Sequence, residues 1–128
     1  MKVRGLLLDV ETRPGRIKEI EIEEENLSEF YSALNCGTID IVTRKIGGRV
    51  FDIVCDDEGL FKEHPYVSAI ANDGRYMLVG NLFICNHYKA HLTSLSEADV
   101  DYIMKNIMIV GATTHSHSYP ALINVSYV

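Results

Sequence analysis

The residues of this chain best suited to chemistry are two histidine pairs. His87 and His91 lie four apart in NHYKAH, and His115 and His117 lie two apart in THSHS. Imidazole is the commonest protein ligand for zinc, and three or four converging ring nitrogens make a site. Residues two apart on a strand point the same way, and residues four apart on a helix share a face. Each pair could therefore present two nitrogens, so one reading is a metal-dependent hydrolase built on His87, His91, His115 and His117. Against it, neither pair has an HExxH motif or an acidic partner at ligand spacing. NHYKAH lies between an apolar strand and a capped helix start, and THSHS lies in a Ser/Thr-rich loop before Pro120. The reading adopted is solvated loop histidines, with no metal and no cofactor. His64, beside Pro65, stands alone.

Other chemistry is thinner. The turn Asp56-Asp57-Glu58 could hold a hard cation, but it lacks the ordered spacing of an EF-hand loop and reads as a solvated turn. Cys36, Cys55 and Cys85 are far apart, with no Cys-x-x-Cys, and the last two follow apolar residues in IVC and FIC. They read as buried reduced thiols rather than nucleophiles. No Gly-x-Ser-x-Gly elbow, P-loop or dinucleotide fingerprint occurs. A ligand pocket would draw on basic and aromatic side chains, for which Arg44, Arg49, Arg75 and Tyr66 are the nearest material.

The elements that must position these residues follow from patterning. The chain has 128 residues, which suits one domain spanning 1–128, and 47% are hydrophobic. Residues 2–10 alternate with apolar side chains on both faces, as in a central strand. A Pro-Gly turn at Thr12-Arg13-Pro14-Gly15 returns the chain as residues 16–23, with Ile20 and Ile22 inward and Glu19, Glu21 and Glu23 wet. Ile17 has the wrong parity and suggests a bulge. Asn26 and Glu29 suit the start of a helix carrying Leu27, Phe30, Tyr31 and Leu34 on one face, ended near Gly37. Residues 38–43 and 50–55 flank the Gly47-Gly48 turn. Residues 60–74 read as irregular or weakly helical.

An apolar strand, 76–85, is interrupted by Gly80, which suggests a bulge or close backbone approach. A second helix follows, capped by Ser96 and Asp99, stapled by Leu95 and Val100, and buried along Val100, Ile103, Met104 and Ile107. Residues 108–112 and 122–128 supply late strands, so 107–128 reads as an additional strand-forming tail. Tight turns between strands imply a mixed, mainly antiparallel sheet with two helices packed on it, an α+β fold.

The formal charge is −6, with Glu19, Glu21, Glu23, Glu24 and Glu25 in one run. Lysines and arginines are scattered, which disfavours nucleic acid as a partner. The opening MKVRGLLLDV is charged too early for a signal peptide, and no run approaches the roughly 20 apolar residues of a membrane span. The expected compartment is the cytoplasm, with no membrane partner.

The segment order VCDDEGLFKEHP, GRYMLVGNLFIC, SLSEADVDYI resembles a family of small domains classed only as a domain of unknown function, carried mostly by phages, plasmids and mobile elements of Firmicutes. The likeness covers about residues 1–107 and rests on Glu58-Gly59, Pro65, Gly80-Asn81 and the helix start at 95–98. Members often carry an Asn shortly after the position of Pro65, where this chain has Tyr66-Val67-Ser68. The family assigns no catalytic residues. A compact fold, the absence of catalytic motifs and the acidic charge point to a cytoplasmic, non-catalytic binding or regulatory module acting on a host protein or a small-molecule ligand, and the resemblance implies a mobile-element origin. A structural homo-oligomer is a third reading, because the alternating tail ALINVSYV could pair across a dimer edge.

Overall fold

A computed structural model describes residues 1–10, 16–58, 67–70, 76–108, 112–114, 117–119 and 122–127. The elements are β1 (Lys2–Asp9), β2 (Arg16–Glu23), α1 (Leu27–Leu34), β3 (Ile39–Ile46), β4 (Arg49–Asp56), β5 (Val67–Ile70), β6 (Tyr76–Val79), β7 (Leu82–Tyr88), β8 (His91–Thr93), α2 (Glu97–Lys105), β9 (Ile107–Met108), β10 (Ala112–Thr114), β11 (His117–Tyr119) and β12 (Leu122–Tyr127). The main sheet runs β2-β1-β7-β4-β3-β12-β5-β6, with β8 on β7 and β9 on β12. Neighbours are antiparallel except β12 and β5, which are parallel. The fold is α+β, with helices on a mainly antiparallel sheet.

Alternation sorts the side chains of the central strands onto two buried faces. Leu6, Leu8, Phe51, Ile53, Leu82 and Ile84 point one way and join Ile103 of α2. Val3, Leu7, Val54, Phe83 and Cys85 point the other way and join Phe30 and Leu34 of α1. The helices therefore cover opposite faces of the sheet. Burying each such large apolar side chain contributes about 1.5–3 kcal/mol, so both faces are strongly held. Gly5 is required by this arrangement. A Cβ there would lie 2.4 Å from the Ile84 carbonyl oxygen and 2.7 Å from the Phe83 ring.

Two covered faces also explain Ile17. The β1–β2 register runs unbroken from Lys2↔Glu23 to Asp9↔Arg16, with no bulge. Ile17 packs into the α2-side core while Ile20 packs into the α1-side core. The odd parity marks a second core. The Pro-Gly turn expected between these strands lies outside the described residues.

Local details differ from the sequence reading in several places. In α1 the Asn26 side chain accepts from the Ser28 amide, but Glu29 accepts from the Glu23 amide, so no reciprocal box forms. Its C-cap is Asn35, in the left-handed region at φ 52, rather than Gly37. Residues 76–85 are two strands, divided at Gly80 (φ 80), and the buried Asn81 accepts from the Val10 amide at 2.9 Å. Within 60–74, residues Val67–Ile70 form a strand. At α2 the box is complete, because Ser96 and Asp99 each accept from the other's amide. Met104, expected inside, is 48% exposed. Ile107 belongs to β9, since α2 ends at Lys105. The tail strand β12 pairs with β3 on one side and with β5 and β9 on the other, all within one chain.

Candidate functional site

The α1 face of the sheet is only partly covered. With eight residues, α1 spans about 12 Å and packs Phe30 and Leu34 against side chains of β2, β1 and β7. Beyond it, the same face continues over β4 and β3 through Asp52, Ile39, Ile41 and Thr43. There a cleft of about 450 Å³ opens, bordered by Glu24, Leu27 and Phe30 on one side and by the β7–β8 hairpin on the other. Its floor is mixed, with Ile39 and Ile41 beside Asp52 and Thr43, and Ile41 and Leu27 remain 47% and 53% exposed.

The hairpin brings His87 and His91 to the border of this cleft. NHYKAH forms no helix. It turns at Lys89-Ala90, with Tyr88 opposite His91 and His87 opposite Leu92. Side chains opposite one another share a face, so the pleat sends His87 and His91 to opposite sides of the hairpin. Each finds its own carboxylate. His87 Nδ1 lies 3.0 Å from Asp52 Oδ1, and His91 Nδ1 lies 3.2 Å from Glu24 Oε1. An ionised carboxylate only accepts, so each contact is a hydrogen bond in the tautomer with its proton on Nδ1. Nε2 is left as the atom available to a ligand.

The carboxylates are held in turn. Asp52 is 8% exposed and accepts from the Thr43 hydroxyl at 2.9 Å. Glu24 accepts from the Leu92 amide at 3.0 Å. A buried charge is tolerable only when paired and hydrogen-bonded, and these partners meet that condition. Lys89, in the turn, has φ 55 and also borders the cleft. Cys85 sits opposite Asp52 in the β4–β7 ladder. Burial pushes its thiol up to about 12, helped by the charges of Asp52 and Glu24. Cys55 is likewise pushed up to about 12 by burial, with Asp40 adding to the effect. Both are free, buried thiols that stay protonated and do not serve as nucleophiles.

The other residues singled out from the sequence fall elsewhere. Arg44 and Arg49 share the α2 face with Ile46 and Phe51, away from the cleft. Arg49 stacks on the Tyr102 ring at 4.4 Å and lies 3.5 Å from Asp99. Arg44 donates to the Thr43 carbonyl. Tyr66, Arg75 and His115 lie outside the described residues, as does His64, and only the backbone of His117 is described, in β11. Among the described residues no three candidate metal ligands converge. Asp56 accepts from the Glu58 amide, closing the acidic turn on itself.

Sequence reasoning missed Asp52, Glu24 and Thr43. Asp52 had a signal: a carboxylate at the centre of VFDIVC, a strand apolar on both sides. Glu24 had none, being one glutamate in a run of similar ones.

Comparison with known proteins gives one match. The family model described as Domain of unknown function (DUF3846) matches residues 1–108. No curated protein and no solved structure matches. No helix among the described residues is long and apolar enough to cross a membrane.

Proposed function

We propose that this chain, which belongs to the Domain of unknown function (DUF3846) family, is a non-catalytic binding module for a small-molecule ligand. One observation carries the proposal: an open cleft that sets exposed Ile41 and Leu27 beside Thr43 and Asp52, rimmed by two imidazoles that each lie against a carboxylate. Small-molecule sites of about 300–1,000 Å³ combine apolar lining with a few placed polar groups in this way. The ring nitrogens of His87 and His91 face separate carboxylates rather than one another, which favours recognition over shared metal ligation. The thiols nearest the cleft are protonated, so a covalent step draws no support from them. In this reading the module works in the cytoplasm, where its free cysteines stay reduced, and belongs to the mobile-element setting that the family resemblance implies.

Native mass spectrometry of untagged protein from its own host tests the proposal. A small molecule should be retained by the wild type and lost in Ile41→Lys, which places a charge on the exposed floor. Retention unchanged by that substitution, or turnover of the released molecule by the wild type, would overturn it.

A further inference from the structure

The outer edge of the sheet is a second surface, separate from the cleft. We infer that β2 accepts an extended segment of a partner protein as an added antiparallel strand, and that this segment carries Lys or Arg at the alternate positions facing Glu19 and Glu21.

Among the described residues β2 pairs with β1 alone, so its other side is an edge. Backbone groups alternate in direction along a strand. The Glu24 amide donates to the Met1 carbonyl, whereas the Glu23 amide turns away from β1 and donates to Glu29 Oε2. The register is unbroken, so the amides and carbonyls of Ile17, Glu19 and Glu21 point outward like those of Glu23. At Glu23 the edge is closed, because its carbonyl accepts from the Asn26 amide. From Ile17 to Glu21 it stays open and unbulged, the form to which another chain adds as a strand.

The side chains select the partner. Alternation puts the exposed Glu19 and Glu21 on the α2 side with Ile17, and the exposed Lys18 on the α1 side with the half-buried Ile20. Inside the edge, Leu6 lies opposite Glu19, and Arg4 lies opposite Glu21 but turns its guanidinium to the Leu95 carbonyl at 3.4 Å. Glu23 is taken by the Met1 ammonium group. A second copy of the chain does not suit this edge. A two-fold axis between antiparallel strands keeps every residue on its own face of the sheet. Centring that axis on Lys18, Glu19 or Ile20 sets Lys18 against itself, Glu19 against itself, or Glu19 against Glu21. Like charges directly opposite are unfavourable, and opposite charges attract. A foreign strand meets the edge without conflict when bases face Glu19 and Glu21, an acid faces Lys18 and an apolar residue covers Ile20. The acidic excess of the chain steers such a basic segment toward it.

NMR titration of the whole isotope-labelled chain with short synthetic peptides provides the test. Thr-Lys-Val-Lys-Glu-Val-Thr matches the edge, with its lysines opposite Glu21 and Glu19 and its glutamate opposite Lys18. Thr-Glu-Val-Glu-Lys-Val-Thr reverses the charges. A third peptide repeats the first with both lysine amides N-methylated, which keeps the charge and removes the donors aimed at β2. The matched peptide should shift the amides of Ile17, Glu19 and Glu21 and bind more tightly than the reversed one by about fivefold or more, the combined scale of two cross-strand ion pairs. Its binding should weaken with added salt, and methylation should abolish the amide shifts. In the double variant Glu19→Lys with Glu21→Lys, both at exposed positions, the reversed peptide should become the tighter one. The wild-type comparisons stand by themselves if that variant fails to fold. No amide shift at the highest soluble peptide concentration would overturn the inference, as would equal binding of the methylated peptide or of the two charge patterns. Shifts of the same amides with protein concentration alone would also overturn it, by assigning the edge to a second copy.

Discussion

Each face of the sheet carries one cluster in which a carboxylate meets a cationic or ionisable side chain, and the two are built for different ends. On the α2 face, Asp99 accepts from the Ser96 amide and from Asn86 at 2.8 Å, Arg49 approaches it, and Arg49 in turn covers Tyr102. The Tyr102 hydroxyl then accepts from the Gly48 amide at 2.6 Å. Together these contacts cap α2 and fasten it to β7 and to the β3–β4 turn. On the α1 face, Asp52 and Glu24 hold their partners at one nitrogen and leave the other available. The difference teaches that a paired charge by itself says little about function. What separates the clusters is whether the network closes on itself or ends at an atom beside an open cleft.

The largest contrast is in packing. Phe51→Ala on the closed face should cost about 3–5 kcal/mol, as for other buried aromatics. Ile41→Ala, at a position already half exposed, should cost less than about 1 kcal/mol because little buried area is lost. Urea denaturation of both variants measures this, and equal losses would mean that the cleft floor is buried in solution.

A smaller effect separates the clusters by acid. Burial pushes the Asp99 carboxyl upward, but the Ser96 amide, Asn86, the Ser96 hydroxyl and Arg49 outweigh it and hold it below the usual carboxylate range. A depressed folded-state pKa contributes stability that is complete above the unfolded value, about 3.9, and is lost as pH falls through the lower folded value. Stability should therefore decline below about pH 4 in the wild type and more shallowly in Asp99→Asn. Denaturation midpoints at stepped pH report it, and parallel curves would assign the acid sensitivity to other groups.

Thr43→Val removes the hydroxyl that steadies Asp52. It should cost about 1 kcal/mol, the net worth of one hydrogen bond, and loosen the His87 ring. Unchanged relaxation of that ring by NMR would show that Asp52 needs no second holder. The smallest change expected is at Lys89. Its φ of 55 lies in the left-handed region, which costs a side-chain-bearing residue about 1 kcal/mol. Lys89→Gly should raise stability by up to that amount, as urea denaturation would report. A stability loss would indicate that the lysine side chain contributes more to the hairpin than its backbone strain removes.

Much of the fold was readable because its signals are local. Leu6, Leu7 and Leu8 announced a strand with two covered faces, Gly47-Gly48 announced a hairpin, and Ser96 with Asp99 announced the start of α2. The failures share a cause. Ile17 looked misplaced only because one core was assumed for β2. NHYKAH was ambiguous because a four-residue spacing fits both a helical turn and the two arms of a hairpin. The four-histidine cluster could not be judged from spacing, since convergence depends on which strands pair. Arg49 looked available for a ligand until Tyr102, 53 positions later in the chain, was placed beneath it.

The sequence alone determined which segments extend, which coil, and which side chains seek burial, because periodicity and capping act between residues a few positions apart. Only the tertiary structure decided that Asp52 meets His87 and Glu24 meets His91. Those pairings span 35 and 67 positions of chain, and they exist because sheet order and hairpin register bring distant carboxylates within hydrogen-bonding reach of two rings.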